Sequence, residues 1–312
     1  MGGPPQKRNN AYSAAHFALE MDQNDNVGLF RSIEGGGVKA DILSYQNGPN
    51  YDRWRQLGRP KFEDLKLQVG MAMSERFYKW IAKFFTGQPE RHDGAIVAAD
   101  FYYKERARRE FTSGLIKELG FPKLEGQDKN AAYMTVSIAV EGIVFKKGDE
   151  GKTLGAPAGF ENQKLWTANN FRLALDKFPT VTTRVTKIDA FTVKQNILEY
   201  HMGGVRAPSK TPSSIDFPPI VFYLPEADAQ PLLDHFKQRV LDEKTTMPGR
   251  FNGSITTFDD SGADLFELKF MNADIASVTP DKHDSTTEEM KMVKVEMYTE
   301  SMQFTYKRTN LT

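Results

Sequence analysis

Three consecutive glycines, Gly35-Gly36-Gly37, with Lys39 close behind, have the composition of a phosphate cradle. A phosphate-binding P-loop needs GxxxxGK[ST] between a strand and a helix, so that backbone N–H groups and a helix N-terminus meet the anion. Here Lys39 follows Gly37 after one residue, no Ser or Thr comes next, and the following run alternates like a strand. The dinucleotide fingerprint fails for the same reason. The expected role of Gly35, Gly36 and Gly37 is therefore a β-turn that uses positive φ. At the equivalent place in the second half the chain reads Ile188-Asp189-Ala190, so that turn needs no glycine.

The other chemistry-bearing residues do not assemble into a reactive set. The five histidines, His16, His92, His201, His235 and His283, show no i, i+4 pair of the kind that holds zinc on a helix. No G-x-S-x-G nucleophile elbow occurs. With no cysteine there is no thiolate ligand, cysteine nucleophile or disulfide framework. No catalytic, cofactor-binding or metal residue is nominated, and no cofactor is expected. The run Tyr102 to Glu110 is basic and aromatic, but Glu105 and Glu110 balance it, which favours a solvated β-hairpin over a nucleic-acid surface. Tyr51, Arg53, Trp54, Arg55 and Arg59 crowd into a polar loop, Asn47 to Pro60, without apolar periodicity. Tyr, Trp and Arg are the types that anchor protein interfaces, so these five are the candidate oligomer-interface residues.

Composition bounds the rest. The 312 residues carry 41 Lys+Arg and 41 Asp+Glu, so there is no basic excess for general nucleic-acid binding. Twenty-two Phe among 12% aromatics allow each half its own core, and the length favours two domains. The start lacks an apolar signal core and position 6 is Gln, against a myristoylation signal. It reads as a short N-terminal arm, and no run is long enough for a membrane-spanning helix.

The positioning elements are mostly strands. Phe17, Leu19 and Met21 alternate with polar neighbours, as do Leu65, Leu67, Val69 and Met71. Phe77, Ile81, Phe84 and Phe85 fall on one helical face, with Ser74 as a possible cap and Gly87 and Pro89 as the stop. After a Gly-rich, charged boundary the pattern begins again: Phe171, Leu173 and Leu175 answer Phe17, Leu19 and Met21. Leu232, Leu233, Phe236 and Val240 form a second helical face. In the strands ending each half the apolar parity reverses at Glu141-Gly142 and at Glu300-Ser301, 159 residues apart. Such a reversal predicts a β-bulge. The expected fold is mainly β (α+β), with two tandem β-barrel or sandwich domains, each with one short amphipathic helix. They span residues 1–150 and 169–312, joined by a linker over 151–168.

The stretch from Phe17 and Asp22 through Gly28, Phe30 and Gly35 to Arg59-Pro60-Lys61 and Trp80 resembles the tail tube proteins of contractile phages and phage-derived injection systems. The likeness covers about the first 145 residues, and the second half joins it only through the internal repeat. The resemblance implies tube-type domains and a structural role without catalysis. The subunit would form stacked rings, sixfold or pseudo-sixfold, around a conduit for DNA or an effector that passes without sequence-specific binding. It also implies sheath, baseplate and tape-measure proteins as partners, no membrane insertion, and residence in a virion tail or an extracellular injection particle made in the bacterial host cytoplasm. A tandem copy suits either a tube subunit or an initiator or terminator ring. Two domains per chain allow three chains in one ring, six chains spanning two layers, or six inner with six outer domains, and six chains is the preferred count. The alternative of another class is a two-domain ligand-binding protein or enzyme with an interdomain pocket.

Overall fold

The computed structural model describes residues 16–22, 25–46, 48, 51–71, 73–149, 151–155, 165–242, 249–281 and 290–307. The expected N-terminal arm, part of the expected linker (156–164) and His283 lie outside the described residues. The first half runs β1 (His16–Met21), β2 (Asp25–Phe30), β3 (Ser32–Gly35), β4 (Val38–Gln46), β5 (Arg53–Phe62), β6 (Leu65–Val69), α1 (Glu75–Phe85), β7 (His92–Ala99), β8 (Glu105–Phe121), β9 (Leu124–Glu125), β10 (Met134–Ala139) and β11 (Gly142–Lys147). The second half has β12 (Phe171–Leu175), β13 (Lys187–Ile188), β14 (Phe191–Tyr200), β15 (Ser209–Asp216), β16 (Ile220–Pro225) and α2 (Gln230–Phe236). It continues with β17 (Phe251–Phe258), β18 (Asp264–Pro280), β19 (Met292–Tyr298) and β20 (Ser301–Tyr306). The fold is mainly β with few helices, as expected.

The long strand β8 organises the first half. Its leading part pairs with β7 and β11, and its trailing part pairs with β10. Ser113, at φ 52, marks the change of course. The second half repeats this arrangement: residues 159 positions on show the same pairing around β18. Gly94 opposite Phe111 becomes Gly253 opposite Phe270, and Ile138 opposite Ile116 becomes Met297 opposite Ile275. Asn272, at φ 54, answers Ser113. The glycines answer each other for a steric reason. A Cβ on Gly94 would come within 2.6 Å of the Phe111 ring, and one on Gly253 within 2.5 Å of the Phe270 ring.

Four expectations need correction. Gly35 and Gly36 do take positive φ, 81° and 73°, but they do not reverse the chain. β3 pairs with β6 and β4 with β5 in one continuing antiparallel register, so Gly35-Gly36-Gly37 bend a single long hairpin whose far half stands out as an arm. The segment read as a polar loop is largely β5. The arm is exposed on both faces, so no buried face stamps a period of two on its sequence. No bulge falls at Glu141-Gly142: β10 and β11 hold one register on β8, with Ala139 opposite Leu115 and Gly142 opposite Thr112, and the bulge lies earlier, between Ser137 and Ile138. Ser74 occupies the α1 N-cap position, but its hydroxyl makes no cap hydrogen bond; the backbone N–H groups of Phe77 and Tyr78 donate to its carbonyl instead.

The two halves share one apolar core. Tyr78 on α1 stacks on Tyr306 at 4.1 Å between centroids, Phe85 stacks on Phe304 at 6.4 Å, and Phe121 stacks on Phe191 at 4.9 Å. α1 of the first half thus docks on the last strand of the second.

Candidate assembly interface

The arm formed by β4 and β5 has a counterpart in β14 and β15, and the two share a register 155 residues apart. Tyr45 opposite Trp54 becomes Tyr200 opposite Ser209, and Ala40 opposite Pro60 becomes Gln195 opposite Ile215. The bulges match as well, between Ala40 and Ile42 and between Gln195 and Ile197. The sequence carries this signal as Val38-Lys39-x-x-Ile42-Leu43-x-Tyr45 against Val193-Lys194-x-x-Ile197-Leu198-x-Tyr200. That similarity would have identified the second arm and its interface residues from sequence alone.

The two arms end in different surroundings. β14 adds to the free edge of β8 in the first half, with Phe191, Thr192, Val193 and Lys194 opposite Phe121, Gly120, Leu119 and Glu118. Val193 and Leu119 are wholly buried there. A latch closes over this junction: Arg91 Nη1 donates to Glu141 Oε1 at 3.0 Å, Ser209 Oγ donates to the same oxygen at 3.1 Å, and so does the Lys210 backbone N–H. β4, in contrast, pairs only with β5 among the described residues, and Val38 is 43% exposed.

All five nominated interface residues fall at or beside the β4–β5 arm. Tyr51 is fully exposed just before β5, while Arg53, Trp54, Arg55 and Arg59 lie on β5. Trp54 is 61% exposed, so it does not fold back on its own half. Gly35, Gly36 and Gly37 sit at the arm's root, where Glu63 Oε2 accepts the Gly37 N–H at 3.2 Å.

The run Tyr102 to Glu110 is less solvated than its composition suggests. Glu105 is buried, and Arg108 bridges it to Glu20 at 2.7 Å, with Lys152 on the other oxygen of Glu20 at 3.0 Å. Of the described histidines, His235 is the one deeply placed. Its Nε2 lies 2.8 Å from Asp274 Oδ1, Arg239 Nε donates to Asp274 Oδ2 at 2.8 Å, and Lys177 Nζ lies 3.0 Å from His235 Nδ1. Burial pushes the His235 imidazolium below its ordinary range against the pull of Asp274. Burial alone would raise the Asp274 carboxyl, but the hydrogen bonds from His235, Arg239 and the Ile275 N–H hold it below its ordinary value. The equivalent places in the first half hold Trp80, Phe84 and Leu115, all buried. The His235 cluster is therefore a polar substitute for an apolar helix seat.

A cavity of about 710 Å³ opens where the second arm meets the first half. Within it, Lys117 Nζ lies 2.7 Å and Lys210 Nζ 3.7 Å from the two oxygens of Asp64. Among the described residues no group of His, Asp and Glu could hold a metal ion, and no helix is long and apolar enough to cross a membrane.

Residues 13–144 match the sequence model of the T4-like virus tail tube protein gp19 family. No curated protein matches the chain. Solved structures similar to it include the sheath–tube complex of an extracellular contractile injection system, PVC, in its extended state, at 15% identity over 45% of this chain and 93% of that one, TM-score 0.39. The tube-terminating cap of the anti-feeding prophage matches at 15% identity over 45% and 94%, TM-score 0.40. Hcp1 of E. coli EAEC 042 matches at 16% identity over 45% and 94%, TM-score 0.27. A tail tube protein is a structural part and not an enzyme. Over residues 13–144, less than half of its length, the chain is similar to the T4-like tail tube protein family.

Proposed function

We propose that the chain is a ring-forming subunit of a tail tube, built from two tube-type units that stand side by side, with residues 1–150 and 169–312 as the units and 151–168 between them. The observation that carries this reading is the addition of β14 to β8. It continues the sheet of the first unit into the arm of the second, as neighbours in a tube wall must do to leave no open edge.

In such a ring the sheet face turned away from the core lines the conduit. One row across it reads Glu34, Lys66, Ser137, Glu118, Lys194 and Asp216, each opposite the next in register. The row mixes both signs, which suits a wall along which DNA or an effector slides without being held. Sheath and baseplate proteins are the expected outer partners, in a virion tail or an injection particle. Negative-stain electron microscopy over a concentration series tests the reading. Rings or hollow tubes support it; a monomer at every concentration contradicts it.

A further inference from the structure

Within one chain the two units meet through two contacts, and each leaves a vacant equivalent. The second arm lies on β8, whereas among the described residues the equivalent edge of β18, Ser277 to Pro280, pairs with β19 only, and the first arm has no strand beyond β5. α1 lies on β20, whereas α2 with the helical turn that continues it (Lys237–Leu241), and β11, the elements equivalent to that pair, leave Val240 and Phe145 48% and 60% exposed. Val240 corresponds to Phe85, and Phe145 to Phe304, which stack inside the chain.

Both vacancies point the same way round. If the second unit of one copy takes a following first unit as the first unit takes the second, the incoming β4 covers the β18 edge and the outgoing α2 covers the incoming β11. We propose, resting on the tube-ring reading, that the partner of these two surfaces is a second copy of this chain, joined head to tail. Val38 of one copy lies opposite Val278 of the next, as Val193 lies opposite Leu119, and Lys39 lies opposite Ser277, as Lys194 lies opposite Glu118. Val240 seats on Phe145. Glu300, held by Arg250 as Glu141 is by Arg91, accepts the backbone N–H of the incoming Arg55, the counterpart of Lys210. Such an interface is heterologous, so it must close into a ring or run on as a filament. Six unit positions then take three chains. On this proposal the continuous intrachain sheet sets both units in one layer, which favours three chains per ring over the six preferred from sequence.

The chain has no cysteine, so introduced ones report cleanly. The K39C and S277C variants are mixed and oxidised, with E118C/K194C in one chain as the internal control. The expected result is a covalent dimer from the mixture, neither single variant alone giving one, and a closed covalent trimer from the K39C/S277C double variant. F145D and V240D should each abolish rings while the control pair still bridges within its chain. Rings without the 39–277 bridge, while the control pair bridges, would overturn this pairing and leave the tube reading intact. Neither rings nor bridge, with the control intact, would overturn both.

Discussion

Val193 lies directly opposite Leu119 in the β14–β8 ladder, and both side chains are wholly buried. Burying each is worth about 2 kcal/mol relative to exposure, so the junction between the halves is part of the chain's own stability. On the head-to-tail proposal their counterparts, the exposed Val38 and the half-buried Val278, become buried only on assembly.

The Glu141 latch should be felt in the isolated chain. Three donors converge on one carboxylate oxygen, and truncation leaves them without it. Glu141→Ala should lower unfolding stability by about 2 kcal/mol, the range for hydrogen bonds to a charged group, measured by urea denaturation. Glu300→Ala should show its larger effect on the ring population.

The paired glycines make a symmetrical prediction. Gly94→Ala and Gly253→Ala each drive a methyl group against a backbone carbonyl and a Phe ring, Phe111 or Phe270. Each should cost about 1–3 kcal/mol, the usual penalty of overpacking. Gly203→Ala, with nothing within 4 Å of the added carbon, should stay near the wild-type midpoint.

These pairs also show what the sequence could reveal. α1 was legible because Phe77, Ile81 and Phe85 seat it on apolar partners at a helical period. α2 was less so, because His235 and Arg239 replace two of those contacts and meet Asp274. The repeat was legible where alternation survives burial on one face. The arms were not, because solvent lies on both faces of β4 and β5, and a strand without a buried face has no period to read. Trp54 and its arginine neighbours stood out by residue type, while their place in a strand had to come from the structure.

The Trp54 prediction follows from its exposure. Trp54→Ala should change monomer stability by no more than about 0.5 kcal/mol, as for other surface sites, while weakening ring closure or stacking. Unfolding of that variant as a monomer would show that Trp54 is a core residue.

The His235 seat predicts an acid-sensitive second half. Both groups have folded pKa values below their ordinary ones, so the stability they confer is present at neutral pH and lost on acidification. As pH falls below the ordinary histidine value of 6.5, the unfolded chain takes up a proton that folded His235 refuses. Below 3.8 the same holds for Asp274. Thermal unfolding across this range should show the midpoint falling in two stages, and His235→Gln should remove the upper one.

Native mass spectrometry of isolated rings tests the central claim most directly. The head-to-tail account predicts a species of three times the 35.3 kDa chain mass. Six chains per ring, or monomers at every concentration, would contradict it.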